Sequence, residues 1–183
     1  MTVYFEKTGN YSEKVFEIVN QKLKESSIDT VIVATTKGQT ALYAAENVKN
    51  ARIIAVTHQA GFRSPGEMEI SEEMIISLKE KGVEVLTATH ALAGIDRAIR
   101  KKHGTWQISE LIAETLRIFG QGTKVAAEIV LMAADAGLIK MEDVISVGGT
   151  GRGADTAWVI KPAHTSTFFD LRMKELLCKP RDF

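Results

Sequence analysis

The chain contains few of the residues that cross-link secreted proteins or interrupt regular structure. Its single cysteine, Cys178, cannot form a disulfide within the chain, so nothing indicates an oxidising compartment. Only three prolines occur, Pro65, Pro162 and Pro180, and no segment has the composition of a linker. The 183 residues are therefore predicted to form a single domain, residues 1–183, with a sizeable core.

Long apolar runs and an excess of charge are also absent. No stretch approaches the roughly 18–20 apolar residues that a membrane-spanning helix needs. The polar start of the chain does not resemble a signal peptide. We therefore expect a cytoplasmic protein without a membrane partner. The 23 basic side chains balance the 23 acidic ones, so no overall field favours a nucleic-acid partner.

The apolar segments predict an α/β fold. Continuous apolar strands that alternate with helices are typical of a mostly parallel sheet covered on both faces. The prediction is a three-layer α/β/α arrangement with a mixed sheet. Predicted strands are 3–5, 31–35, 52–56, 83–87, 144–147 and 157–160. One predicted helix follows a capping box of Asn10 and Glu13, and another begins at Ser71 and stops at Gly82. Three more helices are predicted at 38–46, 105–119 and 123–136. Periodicity does not decide between strand and helix for 171–178.

A polar loop joins the strand at 31–35 to the following helix. Open N–H groups at a helix start bind phosphate well, and hydroxyls and a lysine add donors. An ordinary strand-to-helix turn capped by threonine is the alternative. The loop consists of Thr35, Thr36, Lys37, Gly38, Gln39 and Thr40.

A glycine-rich loop follows the strand at 144–147. Glycines let a backbone approach a ligand closely, and an arginine can hold a phosphate with two hydrogen bonds. The pattern is neither a Walker loop nor a dinucleotide fingerprint, and a mobile glycine hairpin is the alternative. Because ligands bind beyond the carboxyl ends of parallel strands, the two loops are predicted to form one anion site. The second loop contributes Gly149, Thr150, Gly151, Arg152, Gly153, Asp155 and Thr156.

Two histidines directly follow predicted strands. His58, with Gly61 and Phe62 after it, follows the strand at 52–56, and His90 follows the strand at 83–87. Each can hydrogen-bond a ligand carbonyl or ring nitrogen, or close a backbone hydrogen bond, and the residues alone leave both roles open. No metal site is predicted, because no ligand spacing accompanies the histidines.

Charged residues mark two further places. Lys124, Glu128 and Asp135 fall near one face of the predicted buried helix, where an internal ion pair is expected and acid–base chemistry is the alternative. The basic run Arg97–His103 fits a solvated helix end. A nucleic-acid module is a weaker alternative, since no aromatic residues interleave with the run. The role of His164 stays open.

These segments resemble a known family. Residues 30–65 and 123–162 resemble the C-terminal domain of pyruvate kinase, in which two similar loops hold the phosphates of an allosteric sugar bisphosphate. The whole chain more closely resembles stand-alone archaeal and bacterial proteins that have this domain and no kinase barrel. The resemblance implies a pyruvate kinase C-terminal-domain-like fold and binding of flavin mononucleotide (FMN), without pyruvate kinase chemistry. The matching segments are 57–58, 61–62, 90–92, 132–137, 153–157, 162–164 and 169–170.

Two hypotheses about function follow. In the first, the protein binds FMN, with the phosphate between Thr36–Thr40 and Gly149–Thr156 and the ring near His58 and His90. It would be an oxidoreductase if the flavin is redox-active. In the second, it is a non-catalytic sensor of a sugar phosphate or a related metabolite. The apolar tail around Leu176 and Leu177 also suggests a homo-oligomer.

Overall fold

The computed structural model describes residues 1–183. The strands are β1 (Val3–Lys7), β2 (Thr30–Ala34), β3 (Arg52–Thr57), β4 (Glu84–Thr87), β5 (Val144–Gly148), β6 (Thr156–Lys161) and β7 (Arg172–Asp182). The helices are α1 (Ser12–Glu25), α2 (Gln39–Asn47), α3 (Glu72–Glu80), α4 (Gly94–His103), α5 (Ile108–Arg117) and α6 (Gln121–Asp135), with a 3₁₀ segment at Thr165–Asp170.

All seven strands belong to one sheet. Their order is β1-β7-β6-β5-β2-β3-β4, and β6 alone is antiparallel to its neighbours. The predicted mostly parallel, mixed sheet is therefore confirmed. The undecided segment at 171–178 is a strand, since β7 pairs with both β1 and β6.

Successive residues of a strand point to opposite faces, and this alternation produces the three predicted layers. On β2, Val31 and Val33 pack into the core that includes α1 and α2 residues. Ile32, between them, packs instead into the core formed with α6. Because both faces are covered by helices, the strands are apolar on both sides.

Helix α6 is buried nearly all round, as its composition predicts. It packs against the sheet on one side, and Leu131 meets Ala113 of α5 on the other. A helix between a sheet and a second helical layer has no broad face left for polar residues. None of the helices combines the length and the apolar character needed to cross a membrane.

The predicted capping box at the start of α1 is wrong. The helix begins at Ser12, and Asn10 lies before the cap residue Tyr11. The Oδ1 atom of Asn10 instead accepts hydrogen bonds from the N–H and the hydroxyl of Ser12. This local turn competes with the capping geometry, as short polar side chains often do. The prediction of Ser71 as the cap of α3 is confirmed, since its hydroxyl accepts from the N–H of Met74.

Candidate functional site

The two predicted loops lie side by side. Strands β2 and β5 are parallel neighbours, with Val33 opposite Val147, so the segments that follow them leave the same edge of the sheet. Both segments line one open cleft of about 1550 Å³. The predicted residues that line it are Thr35, Thr36, Lys37, Gln39, Thr40, His58, Phe62, His90, Gly149, Thr150, Gly151, Arg152 and Gly153.

The first loop leaves its backbone donors open. The N–H groups of Thr36, Lys37, Gln39 and Thr40 have no acceptor within the protein. Two N–H groups of the loop are bound, that of Thr35 to the carbonyl of Val56 and that of Gly38 to the hydroxyl of Thr35. The open groups include the start of α2, where the helix dipole favours an anion.

Gly38 shapes this loop from beneath and does not line the cleft. Its φ is +98°, and a Cβ atom there would lie 2.2 Å from Cγ of Met74. Both the backbone conformation and the close packing therefore require glycine. The predicted direct contact of Gly38 with a ligand is not supported by this position.

The glycine loop is also rich in open donors. No N–H group of residues 149–153 has an acceptor within the protein. The side chain of Arg152 is exposed and makes no ion pair. The loop therefore presents a run of backbone donors and one unpaired guanidinium to the cleft.

Asp155 and Thr156 lie behind this loop and do not line the cleft. Both are fully buried, at 0% and 1% exposure. The carboxylate of Asp155 accepts hydrogen bonds from the hydroxyls of Thr150 and Thr156, although burial raises its pKa above the ordinary value. The two residues hold the loop in shape, which corrects their predicted role as direct ligand contacts.

Residues at the start of α1 form hydrogen bonds with the C-terminal end of the glycine loop, and the sequence did not predict this contact. The N–H of Tyr11 donates to the carbonyl of Ala154, and the N–H of Ala154 donates to the hydroxyl of Ser12. At Gly153, whose φ is +132°, a Cβ atom would lie 2.3 Å from Oδ1 of Asn10. No local pattern signals this contact, because about 140 residues separate the partners.

The two predicted histidines meet in a cluster of rings. The rings of His58 and Phe62 stack with centroids 4.1 Å apart, and His90 lies 5.3 Å and 5.1 Å from them. The guanidinium of Arg97 lies 4.9 Å from the centroid of Phe62. We call His58, Phe62 and His90 the ring platform. Gly61, predicted to join them, is exposed and does not line the cleft.

The platform histidines have fixed surroundings. Nδ1 of His58 donates to Oε2 of Glu69, whose other oxygen is paired with Arg63. Burial lowers the pKa of His90 to about 4, so its ring is neutral at pH 7. A neutral imidazole offers one donor and one acceptor to a ligand.

Lys124 and Glu128 form the predicted internal ion pair, and both line the cleft. Asp135 is not part of it. This residue ends α6, where it accepts hydrogen bonds from His164 and Thr165 at the surface. Asp135 is therefore outside the internal ion pair, because the last turn of α6 emerges from the core.

The basic run at the end of α4 is divided between two surroundings. Arg97 faces the cleft, whereas Arg100 pairs with Glu110 and lies over the ring of Trp106. Leu176 and Leu177, the basis for expecting self-association, lie in β7, where the chain's own strands flank them on both sides. The oligomeric state itself stays a prediction.

Formal charge in the cleft is positive although the whole chain is neutral. Seven basic side chains line it against four glutamates. Lys37, Arg97 and Arg152 make no ion pair there; the remaining cations, Lys14, Arg63, Arg117 and Lys124, are each paired with a glutamate. The unpaired cations favour an anionic ligand.

One solved structure and one family model match this chain. A pyruvate kinase from Cryptosporidium parvum is similar over 83% of this chain, at 14% identity and a TM-score of 0.42. The chain spans only 23% of that protein's length. The family model described as "Pyruvate kinase, alpha/beta domain" matches residues 13–160, most of the chain. The protein therefore belongs to the family of the pyruvate kinase alpha/beta domain.

Proposed function

We propose that this protein binds a phosphorylated small molecule in the cleft and that the ligand is FMN. The phosphate lies between the loop at 36–40 and the glycine loop at 149–153, and the flavin ring lies against the ring platform. We place this function in the cytoplasm, as the sequence analysis expects.

One observation carries the proposal. Two loops on neighbouring parallel strands present backbone N–H groups without acceptors to the same cleft. Each loop also carries one cation without an ion pair, Lys37 in the first and Arg152 in the second. Open donors together with unpaired cations are the chemistry that holds a phosphate.

The distance between the two ends of the cleft favours a ligand longer than phosphate alone. The loops follow β5 and β2, whereas the histidines of the ring platform follow β3 and β4. At a strand spacing of about 4.8 Å, the two ends are about 10 Å apart. FMN has a flat ring joined to its phosphate by a five-carbon chain, which suits this separation.

The residues present fit the two parts of FMN. The loop donors match phosphate oxygens, while Phe62 and the imidazoles of His58 and His90 match a flat heteroaromatic ring. Bound flavin would supply electron-transfer chemistry, which would make the protein an oxidoreductase. The chain's own residues would bind the phosphate, orient the ring and hydrogen-bond to its edge.

A second candidate is a non-catalytic sensor of a sugar bisphosphate. It is favoured by the duplication of the anion site, since each loop has its own open N–H groups and its own cation. Two phosphates could therefore be held without any use of the ring platform.

The test begins with protein purified without additions. Its visible spectrum is recorded, and the small molecules released on denaturation are identified by mass spectrometry. A yellow protein that releases FMN supports the first candidate. Calorimetric titrations of stripped protein then compare FMN with riboflavin, which has the same ring and lacks the phosphate. We expect FMN to bind at least about tenfold more tightly.

The alternatives have distinct results. Equal affinity for FMN and riboflavin would remove the loops from the site. A colourless protein whose unfolding temperature rises with a hexose bisphosphate, but not with FMN, would establish the sensor instead. Failure of every phosphorylated probe to bind would reject both candidates.

A further inference from the structure

Three cationic side chains from three helices meet at one end of the cleft. Arg97 of α4, Arg117 of α5 and Lys124 of α6 all line the main cleft. The same three also line a small adjoining cavity of about 70 Å³. The three side chains therefore separate the main cleft from the small cavity. Arg97 also covers the ring of Phe62, which joins this group to the ring platform.

Lys124 is the most constrained of the three. It is 4% exposed and lies within the influence of both arginines. Burial lowers its pKa, Glu128 opposes that effect, and the charges of Arg117 and Arg97 lower it further. Lys124 is therefore largely dehydrated, and two partly exposed arginines add like charge beside it, which favours a further anion at this position.

The cations retain donors that the protein does not use. An ammonium group has three N–H donors, and Lys124 uses one of them, on Glu128. The guanidinium of Arg97 lies over the ring of Phe62 and pairs with no carboxylate, so its donors stay free. Arg117 donates to Gln121 and Glu114, which leaves part of its five-donor fork free.

The charge balance selects the kind of anion. Glu128 offsets Lys124 and Glu114 offsets Arg117, so Arg97 is the unmatched charge. His90, the nearby imidazole, is neutral at pH 7, because burial lowers its pKa to about 4. A surplus of one positive charge suits a singly charged carboxylate better than a doubly charged phosphate.

We propose that Arg97, Arg117 and Lys124 form a second anion subsite, which takes the carboxylate of a small organic acid and places that molecule beside the ring platform. The subsite uses other residues than the phosphate loops, since it is built on α4, α5 and α6 and meets the ring platform where Arg97 covers Phe62. It relies on the proposed function only for the assignment of the loops to phosphate.

The test uses backbone amide signals in ¹⁵N-labelled protein, followed by NMR. Propionate is titrated as the carboxylate probe, propionamide as its uncharged match, and inorganic phosphate as the probe for the loops. We expect propionate to shift signals in residues 92–97 and 121–125, and propionamide to leave them unchanged. Phosphate should instead shift residues 36–40 and 149–153.

Two variants separate the subsites. Arg97→Gln, at a half-buried position, should weaken propionate binding by about tenfold and leave the response to phosphate unchanged. Arg152→Ala should do the reverse. Lys124→Met should also abolish the propionate response. If Lys124→Met does not fold, the propionate affinity of Arg97→Gln alone tests the subsite.

The outcomes that overturn the subsite differ from those that overturn the proposed function. The subsite would be rejected if propionate shifts no signals at about 50 times the phosphate concentration that shifts the loop signals. It would also be rejected if propionate shifts only the signals of residues 149–153. Tighter binding of phosphate than of propionate at residues 92–97 would reject the carboxylate assignment. Absence of the phosphate response at both loops, with the propionate response intact, would reject the phosphate site and leave the subsite standing.

Discussion

Lys124 and Glu128, one turn apart on α6, form an ion pair in which both side chains are only 5% exposed. The second carboxylate oxygen of Glu128 accepts a hydrogen bond of 3.1 Å from the N–H of Leu92. The pair therefore joins α6 to the segment before α4 at the wall of the cleft. A buried pair of this kind depends on both partners, because either charge alone would be left without compensation.

Glu128→Gln is expected to lower the free energy of unfolding by about 3 kcal/mol, since the buried ammonium of Lys124 loses its counter-charge. Urea denaturation measures the effect. The matched control is Glu17→Gln, which breaks the exposed Lys14–Glu17 pair, with side chains 59% and 55% exposed, and should change stability by less than about 0.5 kcal/mol. Equal effects of the two substitutions would contradict the burial of the Lys124–Glu128 pair.

His90 should make stability depend on pH. Its pKa is about 4 in the folded protein, against 6.5 when the chain is unfolded. The unfolded chain thus takes up a proton between these values that the folded protein does not. The contribution of neutral His90 is therefore complete above pH 6.5 and is lost as the pH falls towards 4, by up to about 3 kcal/mol.

Denaturation of His90→Gln between pH 4 and 7 tests this expectation. The variant should lose stability less steeply than the parent as the pH falls through this range. His103→Gln, at an exposed position, should keep the parental slope. Parallel slopes for the parent and His90→Gln would show that His90 is not held neutral.

The glycine loop offers a matched pair of substitutions. Gly151→Ala meets nothing within 4 Å and adds only the strain of a φ of +83°, about 1 kcal/mol. Gly153→Ala has a less favourable φ of +132° and also places a methyl group 2.3 Å from Oδ1 of Asn10. It should therefore destabilise the protein more and release the loop from α1. Thermal unfolding and amide exchange of residues 149–154 would reveal both effects, and equal destabilisation would contradict the close packing at Gly153.

Thr40→Ala and Arg152→Ala should each weaken the binding of FMN by about tenfold or more, because each removes a donor to a charged phosphate. Lys102→Ala removes an exposed cation outside the cleft and serves as the control. Calorimetric titration gives the dissociation constants. Unchanged affinity in both loop variants would exclude these side chains from the phosphate site.

Cys178 should be inert in the native protein. It is fully buried, and burial raises the pKa of its thiol to about 12, so almost no reactive thiolate exists at pH 8. Ellman's reagent is expected to detect one thiol in denaturant and none in the folded protein within minutes. Rapid reaction of the native protein would mean that β7 separates from its neighbours.

Local sequence predicted every strand except the undecided one and all the α-helices except α4, because these elements depend on near neighbours. The apolar runs around Val31 and Ile145 are strands, and the spacing of Val15, Phe16 and Val19 is helical, as periodicity requires. The predicted helix cap failed where other polar groups compete for the same hydrogen bonds. Asn10 forms a turn with Ser12 instead of a helix cap, and Ser12 in turn binds the backbone of Ala154.

In the candidate site, local residue patterns were enough to locate the two loops and the two histidines, because glycines, hydroxyls and imidazoles after apolar strands are local signals. That Arg97, Arg117 and Lys124 line one part of the cleft, with Arg97 over the ring platform, became visible in the folded chain alone. The fold also placed Asp155 and Thr156 behind the glycine loop as its support. Strand order and helix packing determine which distant side chains become neighbours, and no short sequence pattern encodes that choice.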